Sequence, residues 1–200
     1  MYEELFKPFA DEVNYIIVPL SKAAKGLYLI GGYVYRNIIS RLYNIDAWNK
    51  HDVDFIAAEF YPEKLPINWL VEEHGVKGLP DSCKGWKITT NEGKIFDISI
   101  FRKHACSVLT KENPDINSYL KNVPLSIQSI AYDVENKKVL GNEGIKSIKE
   151  RKFWYNNKNN VLFDGDYWQK KIEKIDLPLV VLCGECRNPR LKNISVQVSK

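Results

Sequence analysis

Apolar positions along the chain change period several times, and each change predicts an element. Leu5, Phe6, Phe9, Val13, Ile16 and Ile17 recur at helical spacing over residues 3–18, and Pro19 closes that run. Leu27, Tyr28, Leu29 and Ile30 form a short apolar stretch that stops at Gly31-Gly32, after which Tyr33, Val34, Asn37, Ile38 and Leu42 return to helical spacing. This reads as strand, tight turn and helix, the helix ending near Tyr43. Asp52 and Asp54 alternate with Val53 and Phe55 at the period of a strand. Over residues 62–74, Leu65, Ile67, Trp69, Leu70 and Val71 stand amid acids, which predicts a helix ended by Gly75. Residues 84–90 and 94–101 are rich in β formers and flank Asn91-Glu92-Gly93, a hairpin pattern.

The rest of the chain patterns less sharply. Residues 103–123 are polar, with a loop over 111–115. Ile127, Ile130, Ala131 and Tyr132 lead into a turn over 133–138, followed by a short strand at Val139 and Leu140 and a helix over 142–152 capped by Asn142. From Phe153 the character changes, with Phe153, Trp154, Tyr155, Phe163, Tyr167 and Trp168 interleaved with asparagines and lysines. Such aromatics either stack nucleic-acid bases or pack as a helix face on the domain. We therefore divide the chain into a domain over 1–152 and a C-terminal extension over 153–200 packed on it.

Length and composition set bounds. Two hundred residues suit one domain of good size with a small appendage, and 44% hydrophobic with 27% charged residues are ordinary globular values. A net charge of +4 permits a nucleic-acid partner without demanding one. No apolar run approaches membrane-spanning length and the N-terminus lacks the pattern of a signal peptide, so the expectation is a cytoplasmic protein with no membrane partner. Cys83, Cys106, Cys183 and Cys186 are then expected as reduced thiols rather than a zinc site, since neither His104 with Cys106 nor Cys183 with Cys186 has a second pair at zinc spacing.

The chemistry is carried by acids. Strand alternation places Asp52 and Asp54 on one face, and alternation over 94–101 places Asp97 and Ser99 opposite Phe96, Ile98 and Ile100. If the two strands are neighbours, three carboxylates converge, and such a cluster repels itself unless cations sit in it, as in two-metal phosphoryl transfer. Glycines at the strand-to-helix turn let backbone approach a phosphate closely, with the helix N-terminus as its seat. An Asp-x-Asp triplet alone means little, because eleven aspartates in the chain give about 0.6 such triplets by chance. Asp164-Gly165-Asp166 is a second one, read as a loop and helix cap. The weight lies in the order: Gly-Gly at a turn, paired acids on a second strand, a lone acid on a third.

In that order the segment 26–152 resembles the polymerase-β-type nucleotidyltransferase superfamily, most of all the head domain of CCA-adding enzymes and bacterial poly(A) polymerases. Residues 125–133 and 139–145 are similar to the family segment that follows the third carboxylate. The resemblance implies an α/β (α+β) fold with a palm-like mixed sheet flanked by helices. It also implies an enzyme that moves a nucleoside monophosphate from a nucleoside triphosphate to an acceptor hydroxyl. Asp52, Asp54 and Asp97 would be the catalytic acids and the ligands of two Mg²⁺ ions. Gly31, Gly32, Arg36 and Arg102 would contact the nucleotide. The acceptor implied is RNA, tRNA-like by analogy, with a protein or small-molecule hydroxyl as the alternative and a non-catalytic nucleotide- or RNA-binding module as a third reading. Two departures stand out: Tyr35-Arg36 replaces the family's Arg-Asp, and Asn122-Val123-Pro124 stands where relatives carry Arg-Arg-Asp, so nucleotide choice does not carry over.

Overall fold

A computed structural model of the chain describes residues 2–45, 53–75, 79–154, 156 and 181–182. Asp52, most of the aromatic tail, Asp164-Gly165-Asp166 and the Cys183/Cys186 pair lie outside the described residues. The N-terminal run folds as two helices, α1 (Tyr2–Glu12) and α2 (Asn14–Ala23), broken at Val13. Pro19 does not close the run but stands inside α2. The amide donor it removes is outweighed by burial of Ile16, Ile17, Leu20 and Ala23 against the sheet.

Strand β1 (Ala24–Ile30) leads directly into α3 (Gly31–Tyr43), which ends at Asn44 in the left-handed conformation. Next come β2 (Val53–Phe60) and a 3-10 turn at Pro62–Lys64. The helix expected over 62–74 is absent, and its second half is strand β3 (Leu70–Gly75). Two prolines, Pro62 and Pro66, strip the segment of amide donors. Trp69 and Val71 pack inward while Leu70 stays 58% exposed, a period of two that sequence reading at helical spacing overlooks. Strands β4 (Lys84–Thr89) and β5 (Ile95–Ile100) form the expected hairpin, its turn closed by a bond from Gly93 N–H to the Thr90 carbonyl at 2.9 Å.

The polar stretch after β5 contains two short helices that its pattern does not announce, α4 (Ala105–Thr110) and α5 (Ile116–Asn122). Local capping makes them: His104 Nδ1 accepts from Cys106 N–H, and Asp115 accepts from Ser118 N–H at 2.8 Å. Strands β6 (Ala131–Asp133) and β7 (Lys138–Leu140) precede α6 (Asn142–Glu150). The residue at the α6 cap is Gly141 rather than the expected Asn142, because the backbone there must pass hard against the Ser129 carbonyl. Finally β8 (Lys152–Phe153) pairs in parallel with β9 (Val181–Leu182).

Among the described residues the main sheet runs β3-β4-β5-β2-β1-β6-β7, with β2 and β5 parallel and every other neighbouring pair antiparallel. It is a mixed α/β architecture with helices on both faces. One face buries Leu27, Leu29, Phe55, Phe96 and Ile98 under helices that include α1, α2 and α3. The other carries Ile30, Ile56 and Ala131 beneath Cys106, Tyr119, Leu120 and Val123 of the α4–α5 region. This second cover is small, so part of that face stays open. The start of the C-terminal segment is tied down: Phe153 is buried, and Ser126 both donates to the Trp154 carbonyl and, through Oγ, accepts from its N–H, each at 2.9 Å. No described helix is long and apolar enough to cross a membrane.

Candidate active site

Strand parity decides what the open face presents. In β2, Phe55 and Ala57 point to the larger core while Asp54 and Ile56 point the other way. In β5, Phe96 and Ile98 are buried while Asp97 and Ser99 are half-buried. Because β2 and β5 are parallel neighbours with Asp54 directly paired to Asp97, the two carboxylates stand side by side. The expectation that these strands adjoin is met for Asp54 and Asp97.

The glycine turn sits against this pair. Ile30 pairs with Asp54, so the β1–α3 junction abuts the acid. Gly31 has φ +71°, the left-handed region, and a Cβ added there would lie 2.9 Å from Asp54 Oδ2. Glycine is therefore required twice, by backbone conformation and by the approach of the carboxylate. Ile30 gives α3 no side-chain cap, which leaves the first N–H groups of this thirteen-residue helix to other acceptors.

A cavity of about 310 Å³ opens over Gly31, Asp54 and Asp97. Its far wall comes from the two unpredicted helices and the segment after them, through His104, Tyr119, Val123, Pro124 and Gln128. Burial pushes the Tyr119 hydroxyl well above its ordinary range, with Cys106 and Asp54 adding to the effect, so it stays a neutral donor. Burial likewise pushes the Cys106 thiol up to about 12, which leaves it inert rather than metal-binding. Asn122, where relatives carry the first arginine, is fully buried and donates to the Ser118 carbonyl at 2.9 Å and to Glu112 at 3.0 Å. It is a structural residue, and Val123 and Pro124 meet the cavity with no charge.

The two arginines expected at the nucleotide are not brought to this cavity. Arg36 is 1% exposed, in a stretch of α3 buried on all sides from Tyr33 to Ile39, with its guanidinium 5.7 Å from the Tyr35 ring centroid. Arg102 is exposed on the 3-10 turn after β5, where its charge acts on Glu59. His74 of β3, which sequence reading takes only as the end of a helix, does reach the site: its Nε2 lies 3.5 Å from Asp97 Oδ1. Period-two alternation of 69–74 would have placed it on that face. Lys103 and Lys84 also border the cavity, yet their ammonium groups turn to Glu73 at 2.9 and 3.3 Å, with Lys103 over the Trp86 ring.

Asp54 and Asp97 fit a hard divalent cation: two carboxylates from adjacent strands, half-buried, with the missing Gly31 Cβ leaving room beside Asp54. Magnesium is commonly held by one or two carboxylates, with substrate phosphates and water completing its shell. Among the described residues no group of three His, Cys, Asp or Glu side chains forms a metal cluster. Asp52, the third expected ligand, is outside them.

Solved structures of CCA-adding enzymes and of a tRNA nucleotidyltransferase share this fold. The Bacillus stearothermophilus CCA-adding enzyme in complex with CTP is similar with a TM-score of 0.61 at 14% identity, over 88% of this chain and 41% of that one. The Thermotoga maritima CCA-adding enzyme complexed with tRNA gives 0.51 at 18%, over 86% and 35%. A tRNA nucleotidyltransferase complexed with a primer tRNA and an incoming ATP analog gives 0.53 at 14%, over 93% and 47%. The chain thus spans 35% to 47% of the length of these three proteins. No protein-family model matches it, and no curated protein matches it in sequence.

Proposed function

We propose that this chain is a metal-dependent nucleotidyltransferase domain that moves a nucleoside monophosphate from a nucleoside triphosphate to an acceptor hydroxyl on RNA, most of all a tRNA-like end. The observation that carries this reading is the pairing of Asp54 with Asp97 beside the Gly31-Gly32 turn. It stands on a fold shared with enzymes solved in complex with CTP, ATP and tRNA.

Asp54 and Asp97, with Asp52, would hold Mg²⁺, which when bound supplies Lewis acidity toward the phosphate and the attacking hydroxyl. The N–H groups at the start of α3 donate to phosphate oxygens, aided by the positive end of the helix. Gly31 keeps Asp54 unobstructed. In the reaction the acceptor oxygen bonds to the α-phosphorus, the bond from that phosphorus to the bridging oxygen breaks, and pyrophosphate leaves with the electron pair. The hydroxyl proton passes to solvent. His104, Tyr119 and Gln128 wall the cavity and limit competing water. The uncharged Val123 and Pro124 leave base selection to contacts other than arginine.

The test is incubation with Mg²⁺ and each α-labelled nucleoside triphosphate in turn, in the presence of total RNA and total cell protein. Label entering RNA supports the proposal and names the nucleotide. Label entering a protein band moves the acceptor to the protein class, and label entering neither overturns transfer.

A further inference from the structure

We propose that the exposed face of α6, continued through Arg151, Lys152 and Trp154, is a docking surface for the phosphate backbone of the RNA acceptor, separate from the cavity where transfer takes place. The inference rests on the function proposed above only in taking the acceptor to be RNA.

Positive charge is concentrated here. Residues 141–152 hold four cations, Lys146, Lys149, Arg151 and Lys152, against two acids, Glu143 and Glu150, a net of +2 in a chain whose total is +4. All six side chains are exposed, because Gly144, Ser147 and Ile148 take the buried side of the helix. By contrast Lys7, Lys25, Lys84, Lys103 and Lys121 each lie 2.7–3.3 Å from a carboxylate oxygen. None of the four cations at 146–152 forms a salt bridge with a described acid. Glu150 stands one turn after Lys146, but lysine before glutamate is the weaker order on a helix. The Lys146 ammonium turns instead to Trp154, 5.2 Å from the ring centroid.

Aromatic rings hold these cations in place without cancelling them. Lys149 Nζ lies 5.6 Å from the Tyr2 ring centroid, and Arg151 Cζ 4.3 Å from that of Tyr43. Tyr43 is itself fixed, its hydroxyl donating to the Ile148 carbonyl at 2.6 Å. A ring quadrupole orients a cation and leaves its full charge available to an anion on the solvent side. Lys146 and Lys149, three residues apart, are neighbours on the helix surface. Cations beside half-exposed rings are the combination that follows a nucleic-acid backbone and stacks unpaired bases. A membrane surface fits less well, since it needs exposed apolar side chains, and Tyr15, Val18, Ile67, Leu70 and Ile95 all lie outside α6 and the segment after it. Ile148 and Tyr2 belong to the larger core, whereas Asp54 faces away from it, so this surface takes no part in the chemistry.

The experiment measures fluorescence anisotropy of a labelled RNA hairpin with a single-stranded 3′ end, titrated with the full chain over a series of salt concentrations. Vesicles of anionic lipid form a second arm. Each phosphate contact contributes about 0.7–0.9 to the slope of log affinity against log salt. Alanine at Lys146, Lys149, Arg151 and Lys152 together is therefore expected to flatten that slope by about 3 and to weaken binding about 10–100-fold at low salt. Lys146→Arg/Lys149→Arg/Lys152→Arg, which keeps the charge, should bind like wild type. All four positions are exposed, so circular dichroism should report unchanged folding in both variants. Affinity and slope unchanged in the alanine variant overturn the proposal. So do equal losses in the arginine variant, an absence of RNA binding by wild type, and binding to vesicles but not to RNA. RNA binding that depends on the four cations, with no label transferred by any protein, supports this surface and refutes the function above. Transfer to RNA with the same KM in wild type and the alanine variant does the reverse.

Discussion

Substituting Gly31 by alanine separates two demands that the site makes on one position, and Gly93 supplies the control. Both glycines lie in the left-handed region, at φ +71° and +75°. An alanine forced into that region costs about 1–2 kcal/mol, which for a chain of this size lowers Tm by about 2–8 °C. The surroundings differ. Nothing lies within 4 Å of a Cβ built at Gly93, whereas one built at Gly31 falls 2.9 Å from Asp54 Oδ2. Because that atom ends a side chain, it can yield, so the clash should move the carboxylate rather than unfold the domain. Gly31→Ala and Gly93→Ala are therefore expected to lose similar stability in thermal or urea melts. Only Gly31→Ala should lose function, by about 10–100-fold in divalent-metal affinity and in transfer rate, in line with the roughly hundredfold effect of ångström-scale misplacement. If Gly31→Ala keeps metal affinity and transfer within twofold of Gly93→Ala, the close approach of Gly31 to Asp54 has no functional weight and the reasoning is refuted.

Other outcomes follow from the packing and the titrating groups. Gly144→Ala would place a Cβ 2.5 Å from the Ser129 carbonyl oxygen and 2.7 Å from Ile130 Cβ; overpacking of this kind should lower stability by about 1–3 kcal/mol, read as a reduced urea midpoint. Ile56, fully buried under the α4–α5 cover, should lose about 2–5 kcal/mol on truncation to alanine in the same measurement. Cys106, whose thiol is raised by burial from 9.0 to about 12, favours the folded state fully below pH 9, and that contribution drains away as pH rises toward 12. Urea midpoints of Cys106→Ala should accordingly fall less than those of wild type between pH 8 and pH 10.5. At pH 8 the native Cys106 thiol should resist alkylation that it accepts after denaturation.

What the sequence made legible is the part set by short-range pattern. Alternation alone placed Asp54 away from Phe55 and Asp97 away from Phe96 and Ile98, and the turn at Gly31-Gly32 and the 84–101 hairpin followed from glycine and β-former chemistry. The parallel pairing that sets Asp54 against Asp97 was reachable only as a conditional, since strand order is a long-range property. The failures have physical reasons. Strand β3 gains its hydrogen bonds from β4 and its burial through Trp69 and Val71, so tertiary pairing overrode an apparent helical spacing. Helices α4 and α5 are short, and their caps at His104 and Asp115 show little in an otherwise polar stretch. His74 stayed hidden for the same reason as β3, because its approach to Asp97 exists only once β3, β4 and β5 are in register. Neither Arg36, in the buried stretch of α3, nor Arg102, exposed on the turn after β5, lines the cavity, a placement that sequence proximity to the motifs does not decide.

The central claim is that Asp54 and Asp97 hold the ion of a nucleotidyl transfer. Its most direct measurement compares wild type with Asp54→Asn and Asp97→Asn, each matched for folding by circular dichroism, using nucleoside triphosphate labelled at either the α or the γ phosphate and RNA as acceptor. The account predicts α label in RNA and γ label in pyrophosphate with wild type alone, and loss of both products by about a thousandfold in either variant, the scale of removing one charge-stabilising group from an active site. Transfer that survives both substitutions, or γ label entering the acceptor, would contradict it.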